Sequence, residues 1–221
     1  PMPIPKKYLA DFEEQGVYHV FNRTNNREKL FLSDENRHFF LRKFSQHLSA
    51  YLDTYCWCLL PNHFHFLIRI KAHETILTQI RKKESGDLSL TEKKFLEQEC
   101  TLNELIVHGF KRFFQSYSQS FNKVHKRNGN LFYKTFKRVA IENETHFTQT
   151  VVYIHANPVK HGLLKDFKDY KWSSWQTLIA EGESSLLRNE LFDWFGNKES
   201  FIKTHEELTK YYYDSDISIE E

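Results

Sequence analysis

His63 and His65 stand two residues apart in the run His-Phe-His-Phe-Leu-Ile. In an extended chain, residues i and i+2 project from the same face, so the two imidazoles would lie side by side while Phe64 points the opposite way, into a core. Adjacent neutral imidazoles are a natural pair of divalent-metal ligands. The plainer alternative is that both are half-buried sheet residues. The second candidate is Tyr153, followed four positions on by Asn157 in Val-Val-Tyr-Ile-His-Ala-Asn-Pro. Residues i and i+4 share one helical face, so a phenol and a neutral amide oxygen would be presented together. Taken alone, a tyrosine near a helix end is usually a packing residue. A phenol with a pKa near ~10 is also a poor nucleophile at neutral pH until it is activated. His155, two residues along, would lie on a different face, and no general base stands out.

Periodicity places these residues on elements. Val17–Arg23 alternates and is rich in β-branched and aromatic residues, which predicts a strand. Ser33 is a good N-cap with Asp34 and Glu35 in the first turn; Phe39, Phe40, Phe44, Leu48 and Tyr51 then recur at helical spacing, predicting a helix over residues 34–51. Residues 54–60 and His63–Ile70 read as an antiparallel hairpin about a Pro61-Asn62 turn. Residues 72–100 are charged and helix-prone, with a break at Ser85-Gly86-Asp87. Phe110, Phe113, Phe114, Tyr117 and Phe121 form the apolar stripe of a helix over Leu102–Val124. A fourth strand is expected over 136–142. A helix over 145–157 should be stopped by Pro158, because the residue before proline is pushed out of the α region. A short helix should begin at Trp172. This order predicts an α+β fold: a four-stranded antiparallel ferredoxin-like or RRM-like sheet with helices packed on one face and the other face partly open. Residues 1–180 would form the main domain with a helical insertion near 72–105. Residues 181–221 would be an acidic extension, loosely packed after Glu183.

Several short motifs in this order carry a family resemblance. Residues 60–68, Leu-Pro-Asn-His-Phe-His-Phe-Leu-Ile, resemble the HUH signature (His, bulky hydrophobic, His) of single-tyrosine transposases. Residues 153–163, beginning Tyr-Ile-His-Ala-Asn-Pro, resemble their nucleophile helix, and Asp-Tyr-Lys-Trp-Ser-Ser at 169–174 resembles the motif that follows. Tyr18-His19-Val20, Asn25-Asn26-Arg27 and Gly129-Asn130-Leu131-Phe132 fit the opening strand, its loop and the turn before the last strand. The match is with the branch associated with repetitive extragenic palindromes, related to transposases of the smallest insertion sequences. It covers residues 15–178. The longer 72–105 segment and the acidic tail depart from the pattern without touching the site. The resemblance implies that His63 and His65, with Asn157 as third ligand, hold Mg²⁺ or Mn²⁺. It implies that Tyr153 attacks a phosphodiester in line, leaving a 5′-phosphotyrosine and a 3′-hydroxyl, in single-stranded, hairpin-associated DNA. A monomer or a homodimer is compatible with it.

The charge distribution agrees with a nucleic-acid partner. The net charge is +2, but residues 181–221 hold 11 acids against 4 bases, leaving +9 on residues 1–180. No acid occurs between Glu104 and Glu142, while Lys111, Arg112, Lys123, Lys126, Arg127, Lys134, Lys137 and Arg138 all do. A one-sign block interleaved with aromatics is the footprint of a polyanion site, against the simpler reading of a solvated basic face. Arg23, Arg27, Lys160 and Lys165 flank the motifs and would extend it. Tyr133 and Trp175 are candidate base-stacking rings, although packing is the commoner role for each.

No apolar run approaches the ~20 residues of a membrane span, and residues 1–15 hold no apolar leader-like core. Three cysteines suit a reducing compartment rather than a disulfide framework. The expectation is a cytoplasmic protein without membrane partners. Two alternatives stand beside the transposase-like enzyme. One is a non-catalytic single-stranded nucleic-acid-binding module on the same sheet, a domesticated relative. The other is a structural zinc site, since Cys58 would lie opposite His65 across the hairpin.

Overall fold

The structure, a computed structural model, describes residues 5–214. Four strands, β1 (Val17–Arg23), β2 (Leu52–Leu59), β3 (His63–Ile70) and β4 (Lys137–Ala140), pair antiparallel in the order β2-β3-β1-β4. The helix α1 (Asp34–Leu48) connects β1 to β2. α2 (His73–Arg81), α3 (Leu90–Leu96) and the long α4 (Leu102–Val124) lead from β3 to β4. Removing α2 and α3 leaves the βαββαβ ferredoxin-like order expected from the sequence.

The period of two in β3 divides the molecule. Phe64, Phe66 and Ile68 point toward α1 and α4, where they meet Phe40, Phe44, Phe110 and Phe113 in one large core. Phe44 stacks on Phe66 with ring centroids 4.0 Å apart. Gly109 lets α4 approach α1, since a Cβ there would come 3.1 Å from the Tyr51 ring. Ser33 caps α1 as expected, accepting from Asn36 N at 3.3 Å. The helix ends at Leu48, so Tyr51 and Leu52 already begin the path into β2.

The opposite sheet face is covered over its β2–β3 half. α5 (Glu144–Lys160) crosses these strands and is backed by α6 (Trp175–Ile179), α7 (Arg188–Trp194) and α8 (Lys198–Asp214). A second core joins Cys56, Cys58 and Leu67 of the sheet to Val151, Tyr153 and Ile154 of α5, and then to Trp175, Leu191 and Phe201. Helices on one face therefore describes α1 and α4 but not the whole molecule. The loose packing expected after Glu183 is also corrected: Leu191 and Phe201 are fully buried. The acidic composition hid a set of aromatic residues, Phe192, Phe195 and Phe201, that seal the back of α5. Residues 215–221, which include Asp216, Glu220 and Glu221, lie outside the described residues.

Pro158 does not stop α5, which continues to Lys160. The proline sits in the last turn, where its missing N–H costs one ladder bond and the helix still closes through His161 N to Asn157 O at 2.9 Å. Among the described residues no helix is long and apolar enough to cross a membrane.

Candidate active site at the histidine pair and the tyrosine helix

The hairpin turn sets the start of β3. Leu60 N donates to His63 O at 2.9 Å around Pro61-Asn62, while Pro61 O accepts from Leu30 N at 2.7 Å and Asn62 O from Thr24 N at 3.0 Å. His63 and His65 leave the same face of β3, as the alternation requires, with ring centroids 5.3 Å apart. Cross-strand register places Arg23 beside His63 and both Phe21 and Cys58 beside His65.

α5 brings Tyr153 over this face. Its ring meets His65 edge-on at 5.8 Å and His19 at 6.0 Å between centroids. The phenol ring thus meets His65, one member of the pair, within one chain and across some ninety positions of sequence. Tyr153 is 1% exposed, and Lys160 Nζ lies 5.3 Å from its ring centre.

Hydrogen bonding orients the metal-capable atoms. His63 Nδ1 lies 2.6 Å from Asn62 Oδ1, an acceptor, so Nδ1 carries the proton and Nε2 keeps a lone pair. His65 Nδ1 lies 2.9 Å from His19 Nε2; donation from His65 leaves its Nε2 basic as well. Both Nε2 atoms are shielded from solvent. Asn157 Nδ2 donates to Tyr153 O at 2.9 Å, turning Oδ1 the other way. That Oδ1 is buried and accepts no hydrogen bond among the described residues, an arrangement costly for a structural amide and suited to a cation ligand.

The zinc alternative gains little. Cys58 does pair with His65 across the hairpin, but among the described residues no three His, Cys, Asp or Glu side chains are grouped to hold a metal. Burial pushes the Cys56 and Cys58 thiols up, which disfavours the thiolate that zinc needs.

His155 faces away from the sheet, as expected. It lies 2.9 Å from Ser174 Oγ and 2.9 Å from His205 Nε2. Burial, reinforced by the neighbouring His205, pushes its pKa well below the usual imidazole range, and burial holds His205 at about 3. Both rings are neutral structural groups at neutral pH.

The basic stretch divides into groups with different surroundings. Arg23, Arg27, Lys134 and Lys126 are exposed. Arg23 lies over the Tyr133 ring at 5.2 Å, next to His63 in the sheet, and Tyr133 is 43% exposed. Lys137 stands over Tyr8 at 4.5 Å on the same sheet face as His65. Lys111 and Arg112 sit on α4, which packs against the other sheet face, and Arg112 approaches Glu92 at 3.8 Å. Lys123 is exposed at the end of α4, which leads into the Gly129 turn.

Arg127 and Arg138 are corrections to the expected phosphate contacts. Arg127 pairs with Glu28 at 2.6 Å and spends its remaining donors on Asn122 and on the carbonyls of Gly129 and Asn130. Arg138 is buried and donates to Ala10 O at 2.6 Å. Both guanidiniums are committed to holding loops. Trp175 is likewise a core ring, 2% exposed, and cannot stack a base.

His19, Asn62 and His161 also stand against the histidine pair, without a spacing signal that marks them for chemistry. His161 follows the end of α5 and meets His63 at 4.8 Å between ring centroids. His19 shares the parity of Phe21 and Arg23 in β1, so its face was legible, but its neighbour in β3 depends on the cross-strand register.

No family model matches the chain. A protein of Haemophilus influenzae described as a "Putative REP-associated tyrosine transposase" is 24% identical over 201 residues, spanning 89% of this chain and 97% of that one. A solved structure of a REP-associated tyrosine transposase bound to a REP hairpin aligns with a TM-score of 0.48 and 19% identity, over 82% of this chain and 87% of the other. The chain is therefore similar, over nearly the whole length of a curated relative, to the transposase branch that its own motifs resemble.

Proposed function

We propose that this protein is a divalent-metal-dependent DNA endonuclease and strand transferase that cuts single-stranded, hairpin-associated DNA through a covalent tyrosine intermediate. The observation that carries the reading is the convergence of Tyr153 on His65, with the buried, unbonded Oδ1 of Asn157 one helical turn further on. His63 and His65 through Nε2, and Asn157 through Oδ1, would hold Mg²⁺ or Mn²⁺. When bound, the ion supplies positive charge to a non-bridging oxygen of the scissile phosphate.

Tyr153 Oη attacks phosphorus in line. The new bond is an aryl phosphate ester on the 5′ side, and the bond to the 3′ oxygen breaks. The phenol proton passes to solvent, and the leaving oxygen takes one up to become the 3′-hydroxyl. A 3′-hydroxyl attacking the phosphotyrosine reverses the sequence, so rejoining needs no nucleotide cofactor. Lys160, whose Nζ lies 5.3 Å from the centre of the Tyr153 ring, would place a positive charge close to the phosphate under attack. Arg23 and Lys137 offer phosphate contacts on the sheet face beside the histidines, the exposed Lys134 just before β4 offers another, and the exposed Tyr133 offers a stacking ring. One copy of the chain supplies every group, which favours a monomer as the acting unit. Three unpaired cysteines suit the reducing cytoplasm.

The test is a denaturing gel of protein mixed with Mn²⁺ and labelled hairpin DNAs. A protein–DNA adduct that depends on metal and disappears in Tyr153→Phe is the expected result. Tight binding with no adduct, over several hairpins and both metals, overturns it in favour of a non-catalytic binding module.

A further inference from the structure

The face of α5 opposite the candidate site is held by a chain of hydrogen bonds whose direction can be assigned throughout. His205 Nδ1 lies 2.8 Å from Phe201 O, a carbonyl that only accepts, so Nδ1 carries the proton. Neutral His205 then accepts at Nε2, and His155 Nδ1 must donate to it across 2.9 Å. Neutral His155 in turn accepts at Nε2, so the Ser174 hydroxyl donates across 2.9 Å. Ser174 Oγ accepts from Trp57 N at 2.9 Å, and Ser174 N donates to Trp57 O at 2.9 Å. Every donor meets one acceptor in a single tautomeric arrangement, and all three side chains are buried. The chain runs from β2 through the start of α6 and across α5 to α8.

Its place on α5 gives it a consequence for the site. His155 is two residues from both Tyr153 and Asn157, hence about 200° around the helix from each, whereas those two lie about 40° apart. Apolar burial is non-directional and sets the seat of a helix through the shapes of its neighbours, whereas a hydrogen bond is directional. A bond on its back, anchored at both ends, fixes that angle. Phe201 and Trp175, stacked at 5.3 Å, flank the bond, with Trp175 5.8 Å from His155 and Phe201 4.2 Å from His205 between ring centroids.

We infer that α8, outside the motif-bearing region, is a positioning element of the candidate active site: through His155, the His205 imidazole fixes the rotation of α5 and so aims Tyr153 and Asn157 at the His63–His65 pair. This rests on the function proposed above. His205 touches neither DNA nor metal; it acts through the helix. The sequence stretch that looked like a loosely packed acidic extension therefore carries a residue on which the geometry of the chemistry depends.

The experiment compares the full-length wild type with His205→Phe, which keeps a ring in the core but removes the acceptor, and His205→Gln, whose amide oxygen restores one. Three quantities are read: hairpin affinity, Mn²⁺ affinity by titration, and the single-turnover rate of Tyr153 adduct formation. His205→Phe should bind hairpin DNA within about twofold of wild type. A misplaced nucleophile should slow adduct formation on the order of 100-fold. Mn²⁺ affinity should fall with it, because Asn157 rides on the same helix. His205→Gln should recover most of both. A folded His205→Phe with wild-type adduct rate and Mn²⁺ affinity overturns the inference and reduces α8 to packing. Where His205→Phe does not fold, Ser174→Ala breaks the same chain at its other end with a smaller change in volume, and the same two outcomes decide. The wild-type adduct tests the proposed function; the ratio of variant to wild type tests the inference.

Discussion

His19 on β1 hydrogen-bonds His65 on β3, with Nε2 and Nδ1 2.9 Å apart and the two rings nearly parallel at 5.1 Å. A histidine that ligates a metal through one nitrogen commonly donates its other N–H to a fixed acceptor, which sets its tautomer and orientation. His19 fills that place for His65, and Asn62 Oδ1 fills it for His63. Both imidazoles of the pair are thus held in fixed orientations by neighbours in the fold.

His19→Phe should keep the ring packing against Phe21 while removing the acceptor. We expect Mn²⁺ affinity to fall by about 10- to 100-fold, measured by titration calorimetry, with the thermal melt of the metal-free protein little changed. An unchanged Mn²⁺ affinity would separate His19 from the metal site.

Asn157→Leu should distinguish a ligand from a structural amide. The buried, unbonded Oδ1 is a cost of about 1–3 kcal/mol to the metal-free fold, offset in part by the Nδ2 bond to Tyr153 O. The leucine variant should therefore melt at or above the wild-type temperature without metal, yet bind Mn²⁺ far more weakly. A drop in melting temperature with normal Mn²⁺ binding would assign Asn157 to the fold alone.

The basic residues should separate by location. Changing Arg23, Lys134 and Lys160 together to Ala should weaken single-strand binding and reduce the slope of log K against log salt by about 2. Changing Lys111 and Arg112, on the far side of the sheet, should leave both unchanged. Fluorescence anisotropy across a salt series measures each. Equal effects from the two sets would mean that DNA wraps both faces.

Glu92 should make the 72–105 insertion sensitive to acid. Its side chain is fully buried among Tyr51 Oη at 2.6 Å, Lys83 Nζ at 2.5 Å and Ser89 N at 2.8 Å. Burial alone would raise its pKa; the bonds from Lys83, Tyr51 and Ser89 outweigh burial and hold it at about 2. A carboxylate depressed on folding stabilises the protein above its unfolded value near ~4.5, and this contribution is lost as pH falls toward 2. The wild type should lose stability over that window in a chemical-denaturation series. Glu92→Ala should be less stable by about 3 kcal/mol at neutral pH and show a shallower loss on acidification.

Local periodicity is enough to set the elements and the faces they present. Val17–Arg23, His63–Ile70 and Leu102–Val124 begin and end where their alternation or 3.6-residue period does. The His63–His65 pair points away from Phe64 because a strand permits nothing else, and Tyr153 and Asn157 share a face because a helix requires it. Tertiary structure alone decided which faces meet. His19 reached His65 through strand register. Arg127 and Arg138 turned inward because Glu28 and Ala10 happened to stand within reach, and Phe201 and His205 covered the back of α5. Local periodicity reports that a surface is apolar or charged. Its partner is chosen by many weak long-range contacts summed over the whole chain, and no single segment records that sum.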